Sequence, residues 1–221
     1  VSDSPLISVR GVAELEVEPE IAQITVRLEA RDSDRSRTLE RLTERNKSCL
    51  ELIRSYGDAV EKLETSGFSV APLFRDRRRD EKVHRYQGSV RVTATVCDFT
   101  ALGEMVTRLA AQELTSVAGP WWSLRSDSEV HRKARQRAAR EAVTRAREYA
   151  EALGCALTGL VSLSDVGLTP HAPDYPMPVA AGLAYGSAQP AEPPPLDLEP
   201  RTQTVRAEVE ARFTTTAPDD L

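Results

Sequence analysis

The chain is poor in aromatic residues, cysteine and histidine. Phe, Trp and Tyr make up only 5% of its 221 residues, so a core has to be built from Val, Leu, Ile and Ala. Cys49, Cys97 and Cys155 are odd in number and far apart. That pattern excludes a disulfide framework and reads as buried free thiols in a reducing compartment. His84, His131 and His171 have no His, Cys or Asp neighbour at metal-ligand spacing, so they read as surface residues. No apolar run approaches the roughly 20 residues that a bilayer-crossing helix needs. A phosphate-binding Walker loop, a dinucleotide fingerprint and a nucleophile elbow are all missing. No catalytic residue, cofactor or metal is therefore expected, and the chain reads as a non-enzyme.

What is present describes a globular chain. Hydrophobic residues make up 40% and charged residues 29%, and 221 residues can bury a real core. The net charge of −5 argues against nucleic acid as the main partner. Val1-Ser2-Asp3-Ser4-Pro5 offers neither a basic region nor an apolar stretch. No signal peptide is expected from it, which favours a cytoplasmic location. A periplasmic or extracellular one follows if a leader has been removed.

Ile7 to Arg31 shows the strongest periodicity. Ile7, Val9, Gly11, Ala13, Leu15 and Val17 share one parity, and Ser8, Arg10, Glu14, Glu16 and Glu18 fill the other. After Pro19-Glu20 the parity flips to Ala22, Ile24, Val26, Leu28 and Ala30. Alternation at period two marks strands with one buried face, and a short polar turn between them predicts an antiparallel hairpin. Asp32-Ser33-Asp34 then offers N-caps for a helix carrying Leu39, Leu42, Asn46, Cys49, Leu50 and Ile53 on one stripe. Thr65-Ser66-Gly67 leads into a strand, the charged stretch 75–85 forms a hairpin tip, and Tyr86 to Val96 returns. Asp98 caps a short helix, and Ser116 to Leu124 is an edge strand broken by Gly119-Pro120. Ser126 to Glu129 reads as a capping box opening a long helix, 127–153, which Gly154 ends. Ala134, Ala138, Ala142, Ala146 and Ala150 run along it in one row. Leu160 to Val166 is a further strand. Pro170 to Pro200 holds nine of the 14 prolines and no Lys or Arg, which predicts a long flexible loop. Val205 to Phe213 alternates again as a last strand, expected to pair with the N-terminal part of the fold or another central strand. Residues 217–221 read as a disordered tail.

The order ββ-α-ββ-α-β-α-β-loop-β predicts an α+β fold of antiparallel sheets with helices packed on one side. Three groups of side chains are candidates for function. Of Glu14, Glu16, Glu18 and Glu20, the first three read as a strand's solvated face, and the group does not read as a calcium site. Arg77, Arg78 and Arg79 in the hairpin, with Arg132 and Lys133 at the start of the long helix, are candidates for an anion-binding patch. They support an alternative reading, an anion or nucleic-acid binding module built on 75–85 and 127–153. Trp121 and Trp122 face opposite sides of their strand, so one enters the core and the other is either a candidate interface anchor or covered within the monomer by the long helix and the proline-rich loop.

Gly11-Val12-Ala13-Glu14 through Val17-Glu18-Pro19-Glu20-Ile21-Ala22 resembles the opening of SIMPL-domain proteins, with Glu20 where the family usually carries Asp. Thr65-Ser66-Gly67-Phe68 is similar to the family's second signature. Asn46, Ala152-Leu153-Gly154, Tyr175-Pro176-Met177-Pro178 and the strand Gln203 to Phe213 also fit, and Gly119-Pro120-Trp121-Trp122 looks like an actinobacterial branch. The resemblance implies one domain over 6–216, made of two intertwined subdomains, and assembly into homo-oligomers. It also implies a loose link to the bacterial envelope and to oxidative stress. It brings no catalytic residues and no cofactor, and leaves any protein partner unnamed.

Overall fold

A computed structural model describes residues 4–74, 83–165 and 196–218. Strands and helices follow one another as β1 (Leu6–Val17), β2 (Ile21–Asp32), α1 (Arg35–Arg54), β3 (Val60–Phe74), β4 (Val83–Val96), α2 (Phe99–Ala110), β5 (Thr115–Ser123), α3 (Glu129–Ala152), β6 (Leu157–Asp165) and β7 (Gln203–Thr215). All sheet pairings are antiparallel, in one sheet ordered β1-β7-β6 and another ordered β3-β4-β2-β5. This is the α+β class that the alternating strands predict.

The chain divides into two compact units of interleaved segments. Of the described residues, the first takes 4–17, 126–165 and 202–218, and the second takes 18–74, 83–125 and 196–201. The expected hairpin between β1 and β2 is therefore not formed. β1 pairs along its whole length with β7, from Leu6 opposite Thr214 to Val17 opposite Gln203. β2 lies between β4 and β5 in the other sheet. Alternation reports which face of a strand is buried, not which strand lies beside it.

In the first unit, Val9, Gly11 and Ala13 of β1 and Val209, Ala211 and Phe213 of β7 form the buried face. The alanine row of α3 lies on it, every member buried. The approach is close because both sides are small. A Cβ added to Gly11 would overlap the Ala138 carbonyl oxygen and stand 2.7 Å from the Ala142 nitrogen. The helix starts later than the capping-box pattern suggests: Ser128 is its N-cap and accepts from the Val130 N–H at 3.3 Å. It ends at Gly154, whose φ of +63° lets the Cys155 N–H reach the Ala150 carbonyl at 2.9 Å. The other face of β1 and β7 carries the charges. Arg10 pairs with Glu210 at 3.0 Å and Arg206 with Glu14 at 3.6 Å, so the expected solvated face holds a ladder of exposed ion pairs.

In the second unit, Ile24, Val26 and Leu28 of β2 and Val92, Ala94 and Val96 of β4 face α1 and α2. Leu42, Cys49 and Ile53 come from α1, and Leu102, Met105 and Leu109 from α2. Asp34 and Asp98 cap the two helices as the sequence suggests. β3 starts at Val60, earlier than expected, and Thr65-Ser66-Gly67 lies inside it at a register shift. Of the proline-rich stretch, 170–195 lies outside the described residues, as do 166–169 before it. Its end is bound: the Leu196 N–H donates to Thr107 Oγ1 at 3.1 Å, the Leu196 carbonyl rests where Gly103 lacks a side chain, and Leu198 packs on the core. The tip 75–82 and residues 219–221 also lie outside the described residues.

Two outcomes follow from this packing. Gly11→Ala should destabilise the protein by about 3 kcal/mol, because strand and helix backbones have to separate; an unchanged urea midpoint would show that they are not in contact. Burial pushes the Cys49 thiol up to about 11 from its ordinary 9.0. The folded state then holds the neutral thiol while the unfolded chain ionises, so this contribution to stability declines as pH rises from 9.0 towards 11. At neutral pH Cys49 should react with a thiol reagent only on unfolding, as mass mapping of the modified peptides would show.

Candidate functional site

β5 is an edge strand, and its register decides what the two tryptophans do. Trp122 lies opposite Ala22 on the helix-covered face, where its ring meets Phe99 edge-on at 4.8 Å. Trp121 lies opposite Gln23 on the open face and is 52% exposed. A shift in pairing between Gln23 and Thr25 accommodates Gly119-Pro120. Gly119 is required there: its φ is +112°, and a Cβ would sit 2.8 Å from the Gln23 carbonyl oxygen.

Of the basic candidates, only those of α3 fall among the described residues. Arg77, Arg78 and Arg79 lie outside the described residues. Arg132 is paired with Glu129 within α3, and Lys133 is an exposed neighbour on the same helix. His131 sits in the first turn of α3. Among the described residues, no group of three His, Cys, Asp or Glu side chains is placed to hold a metal ion.

A cluster the sequence did not reveal forms around Arg125, just after β5. Its Nε donates to Glu61 Oε1 at 3.1 Å, and its Nη2 donates to the same carboxylate. Its backbone N–H donates to Glu20 Oε2 at 3.0 Å. Cys97 stands beside this pair, with its Sγ 3.4 Å from the Asp58 carbonyl oxygen. The Arg125 hydrogen bond holds the Glu61 carboxyl below its ordinary range. Burial, and then the Glu61 charge, push the Cys97 thiol up. The carboxylate is neutralised and the thiol stays protonated, the reverse of what a nucleophile needs. The cluster acts as a clamp joining the start of β2, the start of β3 and the end of β5. A smaller one joins α1 to α2: Tyr56 Oη donates to Glu104 at 3.2 Å, and the Arg108 guanidinium lies over the Tyr56 ring. Burial raises the pKa of that hydroxyl.

The first unit has an exposed apolar edge. Leu160, Val161 and Leu163 of β6 are each more than half exposed. Leu160 lies opposite Phe213 and Leu163 opposite Ala211, on the face that α3 covers over β1 and β7. α3 touches β6 only marginally, so among the described residues that part of the face is not covered by the helix.

Compared with known proteins, residues 7–213 match the family described as SIMPL, protein of unknown function (DUF541). None of the curated proteins matches the chain.

The clamp has a pH signature. Because the folded Glu61 carboxyl titrates below its ordinary 4.5, its stabilisation is present above pH 4.5 and is lost as the pH falls through the depressed value. Glu61→Gln should therefore lower the melting temperature at neutral pH. The gap to the unaltered protein should close below pH 4.5. Calorimetry across that range checks it, and a gap that stays constant would contradict the clamp.

Proposed function

We propose that this chain, which belongs to the SIMPL family of proteins of unknown function, is a non-enzymatic protein that works as a homo-oligomer joined through β6. One observation carries the reading: among the described residues, β6 is an edge strand without the devices that normally blunt an edge. Between Leu157 and Ser164 it has no charged residue and no proline. The other edges are guarded. β1 carries Arg10, Glu14 and Glu16, β3 carries Lys62, Glu64 and Pro72, and β5 carries Pro120 at a pairing irregularity. Antiparallel pairing of β6 with β6 of a second copy extends the three-stranded sheet across a two-fold axis. It removes Leu160, Val161 and Leu163 from water, each worth about 1.5–3 kcal/mol when fully buried. Trp121, exposed on the other unit, supplies a second anchor for larger assemblies.

The locked state of the Arg125 cluster supports a role in assembly and not in catalysis. An envelope- or stress-related role, which the family resemblance implies, is part of the same proposal. So is a cytoplasmic location for a chain with three free thiols, Cys49, Cys97 and Cys155.

Light scattering coupled to size exclusion tests the assembly. The unaltered protein should elute at a multiple of 24.3 kDa. The double variant Leu160→Lys, Leu163→Lys should elute as a monomer with unchanged circular dichroism. A monomeric unaltered protein, or a double variant that keeps its mass, would overturn the proposal.

A further inference from the structure

The open face of the sheet β3-β4-β2-β5 has a chemistry that the assembly does not use. The register places Arg27 of β2 directly opposite Arg91 of β4. Both side chains are exposed, on the face opposite the one that α1 and α2 cover. Like charges directly opposite each other in an antiparallel pair repel, and neutral residues there would cost the fold nothing.

Glu29 pairs with Arg27 Nε at 3.2 Å, but divides its charge with Arg31 at 3.0 Å and also accepts from Gln87 at 3.3 Å. Glu64 pairs with Lys62 at 2.9 Å. Among the described residues, the Arg91 guanidinium has no carboxylate within ion-pair distance. Beside it lies a hollow of about 200 Å³ lined by Arg27, Gly67, Phe68, Ser69, Ser89 and Arg91. Gly67, opposite Arg91, leaves the hollow open. Ser69 Oγ and Ser89 Oγ stand 2.9 Å apart at its rim, so one hydroxyl of the pair is free to donate.

We propose that this hollow binds a phosphate-class oxyanion, free or as a monoester, held between Arg27 and Arg91 with a serine hydroxyl of the rim. A tetrahedral dianion has oxygens enough to meet two guanidinium forks at once, and it offsets the repulsion between the facing arginines, of which Glu29 meets Arg27 alone. The glycine belongs to Thr65-Ser66-Gly67-Phe68, the stretch in which the sequence resembles its family's second signature. Gly67 is needed for neither conformation nor packing. Its φ is not left-handed, and an added Cβ would meet only Arg91 Cβ, at an ordinary 3.8 Å. The reason for a glycine here is the space it leaves.

The test titrates the full chain at constant ionic strength with inorganic phosphate and, separately, with phenyl phosphate. Binding is read from the NεH signals of the arginine side chains. The signals of Arg27 and Arg91 should shift and saturate with phosphate. If phenyl phosphate binds more tightly, the natural ligand is an ester; if only phosphate binds, it is the free ion. Arg91→Gln and Gly67→Leu should each weaken binding by about tenfold or more while melting like the unaltered protein. Lys47→Gln, remote on α1, should bind normally. No saturable shift with either anion, or unaltered affinity in Arg91→Gln and Gly67→Leu, would overturn the proposal.

Discussion

The pairing of the first strand with the last is the constraint on which the rest of the fold depends. Twelve residues of β1 lie against β7 in unbroken register. β1 is thereby drawn away from β2, its neighbour in sequence. Pro19-Glu20 then becomes a crossover between sheets, and each unit has to be assembled from separate stretches of chain. β7 is the middle strand of its sheet, so neither β1 nor β6 has a strand to pair with until the end of the chain is in place. The face so formed is narrow, because Gly11 and Ala13 meet the alanine row of α3. Contact is made there by backbone and methyl groups instead of large side chains.

Much of this is legible in the sequence, and the failures have physical causes. Period-two alternation marks the strands because one face of each is buried, and the alanine row shows which side of α3 is covered. The strict pattern of β7 shows that it belongs inside a sheet, where it lies. Partnership is another matter. Pro19-Glu20 has the length of a hairpin turn, and only the competition between β2 and β7 for β1 decides against one. Ser126 and Glu129 have capping-box spacing, yet Ser128 takes the cap. That Trp121 and Trp122 face opposite sides follows from alternation, but which of them turns inward is decided by the pairing with β2. The Arg125 clamp does not follow from the sequence, because Glu20, Glu61, Cys97 and Arg125 come from four distant stretches. Nor does the facing of Arg27 and Arg91, which exists only once β2 and β4 are in register.

The chemistry of the described residues fits the scaffold proposed above. Its buried or clamped ionisable groups are held inactive: Cys49 by burial, Cys97 by burial and a neighbouring carboxylate, and Glu61 by Arg125. Its unbalanced features lie outside, in an apolar strand edge on one unit and facing arginines on the other. An apolar edge favours a second copy of the same strand, whereas opposed guanidiniums favour a small anion. The two are chemically independent, and salt should act on them in opposite directions. Screening weakens anion binding and leaves or strengthens apolar association.

The most direct test of the fold's central pairing is hydrogen exchange on a chain ending at Arg201, which lacks β7. Its second unit keeps its own sheet, its helices and the segment that holds Leu196 and Leu198. The amides of β2 and β4 should therefore remain protected, while those of β1 and α3 exchange at nearly unfolded rates. If β1 stayed protected without β7, it would have another partner, and the pairing of first strand with last would not be what builds this fold.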